Sequence, residues 1–156
     1  MTKDEAIKAL QKYFDIRELV DKSVFDRFGI NAWQIFDTEL LITILKLRTD
    51  ILRVPLVCNN WKSGGSYSQR GFRPNISQIV SEKTKQGKLY VSAHTIGKGV
   101  DLSSPKMTAD EMRETIVKNA RLLPYRIRLE NGKDAPTWLH IDTMTKIGGM
   151  DKITWF

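Results

Sequence analysis

The chain changes its apolar repeat partway along, and that change constrains the fold more than any other feature. Up to about residue 52, apolar residues recur at three- and four-residue intervals, the spacing of one helix face. Beyond residue 88, short apolar runs alternate with polar residues or stand between turn-forming ones, as strands do. Helices first and strands mostly after predict an α+β fold in which N-terminal helices pack on a central antiparallel sheet. At 156 residues, 41% hydrophobic and 28% charged, the chain is expected to be a single domain over 1–156 that buries its own core.

Local signals divide the chain further. Thr2 and Glu5 have capping-box spacing, with Ala6, Leu10 and Tyr13/Phe14 following at helical intervals. A second helix is expected from about Ile16 to Phe28, ending at Gly29. Asp37 is placed to cap a third, with Leu40, Ile44, Leu47 and Ile51 on one face. Arg53 to Asn59 reads as a strand and Trp61 to Gln86 as a long loop, a length that points to function. Leu89–Ala93 and Gly99–Leu102 are expected as strands. Thr108 and Glu111 open a helix reaching about Leu122. Residues 125–129 and 137–142 form a hairpin pattern about Asn131-Gly132.

Composition removes several function classes. No apolar run approaches the roughly 18 residues of a membrane span, so no membrane insertion is expected. The start is charged and amphipathic, which predicts a cytoplasmic chain without a secretory signal. The single cysteine, Cys58, excludes a disulfide framework and a multi-thiolate zinc site; in Pro55-Leu56-Val57-Cys58 it reads as core filler. A net charge of +7 favours a polyanionic partner, but it is spread along the chain and no nucleic-acid motif accompanies it, so no nucleic-acid partner is expected.

The two histidines sit in conspicuous settings. His94 opens a Gly-rich stretch, His94-Thr95-Ile96-Gly97-Lys98-Gly99-Val100-Asp101. His140 alternates with Leu139 and Ile141, so it faces away from them across a sheet. Two imidazoles and a carboxylate meet the needs of a catalytic zinc, which takes about three N or O ligands and keeps a position open. A lone strand histidine is more often a hydrogen-bonded structural residue, and spacing alone does not decide between the two.

The two segments also resemble a known family. Ser92 to Asp101 follows the pattern S-x-H-x-x-G-x-(small)-x-D, and Trp138 to Asp142 is similar to the second signature of the same group. That group is the zinc D-alanyl-D-alanine carboxypeptidase and L-alanyl-D-glutamate endopeptidase superfamily, which shares its fold with the hedgehog amino-terminal domain. Phe14-Asp15-Ile16-Arg17-Glu18-Leu19-Val20, Asn59-Asn60-Trp61, Gly64-Gly65, Gln69-Arg70-Gly71-Phe72-Arg73, Lys106-Met107-Thr108 and Arg128-Leu129-Glu130 look like its phage and prophage branch. The resemblance covers about residues 13 to 143. It implies Zn2+ held by His94, Asp101 and His140, and hydrolysis of an amide bond in a peptidoglycan stem peptide. The bearer would be a monomeric endolysin or prophage enzyme reaching the cell wall after release or from a virion.

The resemblance also implies a carboxylate base and an anion clamp. Many relatives carry an acidic residue three positions before the last histidine; here that position is Thr137. Glu130, at the end of the strand pairing with that of His140, is the candidate base, and Asp134 the alternative. Asp142 is a candidate to orient a ligand. Arg70 is preferred over Arg73 for the substrate carboxylate, with Ser92 holding the His94 turn or meeting the substrate. Trp61 and Trp138 are candidate cleft residues. Thr137 also leaves open a non-catalytic zinc-containing virion or binding protein of the same fold.

Overall fold

The computed structural model describes residues 1–156 and has an α+β architecture of five α-helices and one four-stranded mixed sheet. Helices α1 (Lys3–Leu10), α2 (Lys22–Phe28) and α3 (Thr38–Lys46) form the first layer. Their starts are set locally. Thr2 and Glu5 exchange both capping-box hydrogen bonds, and the Asp37 carboxylate accepts from the N–H of Leu40. Leu10, Leu40, Leu41, Ile44 and Leu47 are fully buried.

The expected second helix is broken in two. Asp15 caps a short 3-10 turn, Ile16–Glu18, in a capping box with Glu18, and Asp21 caps α2 by accepting from the N–H of Val24. Each aspartate satisfies N–H groups that a continuous helix would have used, so the chain turns between them. Arg53–Asn59 is not a strand: Val57 alone pairs, with Ser103. Pro55 has no N–H to give a ladder, and Arg53 sits at φ +57°. The expected 61–86 loop contains α4 (Gln78–Lys85). Leu89–Ala93 is unpaired chain, with Leu89 almost wholly exposed.

Helix α5 (Ala109–Lys118) starts at the capping box of Thr108 and Glu111. The sheet has the order β1-β3-β2-β4, with β1 Gly99–Leu102, β2 Ile127–Leu129, β3 Leu139–Asp142 and β4 Ile153–Trp155. The β1–β3 and β2–β3 pairs are antiparallel. The sheet is not wholly antiparallel, however: β4 runs parallel to β2, because segment 143–152 carries the chain from β3 past β2 to its far side. Val100, Leu102, Ile127, Leu129, Leu139 and Ile141 share one buried cluster with the apolar faces of α1, α3 and α5.

Candidate metal centre

The β1–β3 register places Asp101 directly opposite His140 and Gly99 opposite Asp142, while β2 sets Arg128 opposite Asp142. Because side chains alternate along a strand, Asp101, His140, Asp142 and Arg128 share one face, and Val100, Leu139 and Ile141 form the core on the other. His94 reaches that face from a 3-10 turn, His94–Ile96. Thr95 clasps the turn: its hydroxyl donates to the carbonyl of Ser92 and accepts from its N–H. Gly97 ends the turn at φ +69°, where a Cβ would lie 2.5 Å from the carbonyl oxygen of Ile35. Only glycine lets the turn dock against the helical layer this closely.

Three donor atoms converge at the base of the cleft. His94 Nε2 lies 3.4 Å from Asp101 Oδ1 and 3.3 Å from His140 Nδ1, and His140 Nδ1 lies 2.7 Å from Asp101 Oδ1. All three residues are buried. Ligands about 2.0–2.2 Å from a tetrahedral ion stand about 3.3–3.6 Å apart. Two separations meet that value, and the third is a hydrogen bond that a bound ion would open. The outer atoms are held as well. His94 Nδ1 meets the carbonyl of Gly71 at 2.8 Å, and His140 Nε2 meets Asp142 Oδ2 at 3.0 Å. A proton placed on each outer nitrogen turns the lone pairs of His94 Nε2 and His140 Nδ1 toward Asp101. Gly71 comes so close to Leu19 that a Cβ would sit 1.8 Å from the Leu19 carbonyl oxygen. The donor set, its burial and its outward hydrogen bonds fit a metal ion.

Electrostatics favour positive charge at this point. Burial opposes a charge on His140, but hydrogen bonds to Asp101 and Asp142 prevail and hold its pKa up at about 9. Burial would raise the Asp101 carboxyl, yet hydrogen bonds from His140 and His94 keep it well below the usual carboxylate range. Asp142 is likewise lowered against burial, by His140 and Arg128. Arg73 on Asp101 and Arg128 on Asp142 balance the two carboxylates that flank the His140 imidazole.

The cleft above the cluster has a volume of about 540 Å³, and Ser92, Arg73, Glu130, Trp138 and Phe156 are among its lining residues. Glu130 thus shares the cleft with the three donors, whereas Asp134 lies outside it, bonded to Asn131 in an exposed loop. Ser92 Oγ is buried without a partner, because Thr95 and not the Ser92 hydroxyl holds the turn. The preference for Arg70 over Arg73 does not match the placement. Arg70 stacks on Tyr67, 3.5 Å from the ring centroid, and donates to Ser103 Oγ. Arg73 reaches the cleft and donates to Asp101 Oδ2 at 3.1 Å. Trp138 lines the cleft; Trp61 instead donates from its indole to the carbonyl of Val20. Cys58 is core, its thiol pushed up by burial.

Two residues that support the site have no role in the sequence reading. Arg128 forks onto Asp142 with two 2.8 Å bonds, and its alternation with Ile127 and Leu129 was the available signal. Arg113 of α5, almost fully buried, donates to the carbonyls of Glu130, Ala135 and Trp138 and so pins the connection between β2 and β3. No sequence signal separates it from a solvated helix cation. No helix is long and apolar enough to cross a membrane. Comparison of the chain with protein-family models, curated proteins and solved structures gave no match.

Proposed function

We propose that the protein is a zinc-dependent peptidase that hydrolyses an amide bond in peptidoglycan stem peptides. In this reading it shares the fold of the superfamily its motifs resemble, hedgehog domain included, and acts on the cell wall after release or from a virion. The observation that carries the reading is the convergence of His94 Nε2, Asp101 Oδ1 and His140 Nδ1 beneath an open cleft that also holds a free carboxylate, Glu130.

Bound at these atoms, zinc would supply Lewis-acid polarisation of the scissile carbonyl and of the attacking water. The chain's residues do the rest. Glu130 takes the proton of the water and returns it to the leaving amine. Asp101 is steadied through its second oxygen by Arg73, whose Nε is fixed on the carbonyl of Gln69. Ser92 lines the cleft beside the donors, with its hydroxyl turned into the protein. Arg73, the cation beside the donors, takes over the carboxylate-facing role expected of Arg70.

Elemental analysis and muropeptide digestion test this together. About one zinc per wild-type chain, lost in His94→Ala and His140→Ala, with cleavage products from wild type alone, is the expected result. A chain that takes up no zinc even when it is supplied overturns the reading. Zinc without cleavage would favour the second reading, a zinc-containing binding protein. Thr137 supports that alternative, since it stands where relatives carry an acid and lies in a neighbouring groove outside the metal cleft.

A further inference from the structure

The last strand touches the metal centre without supplying a ligand. After β4, Phe156 keeps the register of the β2–β4 pair, and it lines the cleft. Its backbone is held to β2 by two bonds: its N–H donates to the carbonyl of Leu129 at 3.1 Å, and its carbonyl accepts from the N–H of Asn131 at 3.0 Å. Its ring does two things. It lies against the guanidinium of Arg128, 4.4 Å from carbon to ring centroid, and it meets the ring of His140 edge-on, with centroids 5.5 Å apart and planes at 85°.

Arg128 is the fork that immobilises Asp142, and Asp142 is the partner of His140 Nε2. The carboxylate of Asp142 is wholly buried, while the Arg128 side chain keeps 27% of its surface exposed. Arg128 is therefore the member of this chain of contacts that water can loosen, and the Phe156 ring covers one of its faces. A guanidinium held by a carboxylate on one side and a ring face on another has little freedom left to swing away. Residues that orient a ligand from behind tune the affinity of the ion that the ligand holds.

We propose that Phe156, acting through Arg128 and Asp142, is a positioning residue that holds His140 with Nδ1 aimed at the metal, so that docking of β4 sets the metal affinity of the centre. The proposal rests on the metal-binding reading above but not on hydrolysis. It makes β4 a latch on the site rather than an inert edge strand. It also assigns Arg128 to the metal's outer shell, and not to gripping substrate.

The test is a set of zinc affinities by chelator competition, with the absorption spectrum of the cobalt-loaded chain as a second readout. Asp142→Asn is expected to weaken binding about 10- to 100-fold and Arg128→Gln about 10-fold. Phe156→Ala is expected to weaken it about 2- to 5-fold and to shift the cobalt bands, with Phe156→Tyr restoring both. In an Arg128→Gln background, Phe156→Ala should cost less than it does in wild type, because only the edge contact of its ring with His140 is left to lose. Phe156 is 44% exposed, so its variants retain the core, and unfolding curves of all the metal-free chains check that each is folded. Unchanged affinity in Phe156→Ala, or fully additive losses in the double variant, would overturn the proposal. Raised KM with unchanged affinity would make the ring a substrate wall instead. If wild type binds no zinc, the metal reading falls first and takes this one with it.

Discussion

The helical layer and the sheet-bearing half of this molecule spend their buried positions differently. Apart from Thr43 and Asn59, every buried polar or charged side chain lies beyond residue 70: Ser77, His94, Asp101, Arg113, His140, Asp142 and Thr143. The first half is filled by Leu10, Leu19, Trp33, Phe36, Leu40, Leu41 and Ile44. Burying apolar surface stabilises without direction, whereas each buried charge costs free energy unless a partner stands at the right distance. The helical layer thus supplies stability, and the second half uses it to hold a cluster that needs partners at every atom. The two meet where Asp37, the cap of α3, accepts from the hydroxyl of Thr143 and pairs with Lys98, and where Gly97 packs on Ile35.

If that division holds, substitutions in the two halves should fail in different ways. The largest effect is expected from Glu130→Gln, which keeps the shape of the cleft but removes the proton acceptor. Muropeptide hydrolysis should fall about 100- to 10,000-fold, with zinc content and urea unfolding unchanged. Lost zinc would mean that Glu130 belongs to the metal's surroundings instead. Leu41→Ala is the converse. It should lower unfolding free energy by about 3 kcal/mol and leave the zinc affinity of the folded chain within error. A parallel loss of affinity would break the separation of the two halves.

Arg113→Met tests the boundary between packing and chemistry from within the second half. It leaves the carbonyls of Glu130, Ala135 and Trp138 without their donor, at a cost of about 2–3 kcal/mol. Because those carbonyls lie on the connection between Glu130 and His140, turnover should drop with KM nearly constant. Stability lost without any change in turnover would make Arg113 a packing residue alone.

The same contrast explains what could be read from the residues. The starts of α1, α3 and α5 were legible at Thr2, Asp37 and Thr108 because a cap is made within one turn of chain. The breaks at Asp15 and Asp21 were not, since an aspartate on the polar face of a helix and one that caps a new turn look alike in one dimension. The 127–129 and 139–142 strands announced themselves by alternation. Segment 153–155 did not, because three residues carry too little pattern and the partner that makes them β4 lies across the sheet. At the centre, spacing left His94, Asp101 and His140 undecided between ligands and structural residues, and the motif resemblance singled them out; the β1–β3 register brings Asp101 opposite His140. The choice between Arg70 and Arg73 turned on a stacking partner, Tyr67, and on the irregular path of residues 70–73. Neither is written in local spacing.

The smallest expected effect probes a place where the helical layer itself relies on charge. Asp15 accepts from the N–H and guanidinium of Arg17 and pairs with Lys62 at 3.1 Å, joining the 16–18 turn to the turn at Trp61. The Arg17 hydrogen bonds, with Lys62 adding to them against a burial penalty, hold the Asp15 carboxyl below the usual aspartate range. A folded-state pKa lowered in this way contributes stability that is fully present above the unfolded value, about 4, and is lost as pH falls through the folded value. Asp15→Asn keeps a capping side chain but not the charge, and the site is about one-third exposed, so solvent screens much of the effect. Urea unfolding at neutral pH should therefore differ from wild type by about 0.5 kcal/mol. The difference should shrink as the pH is lowered below about 4. A gap that stays constant with pH would place the effect in packing, and this turn would then be held by its hydrogen bonds and not by its charge.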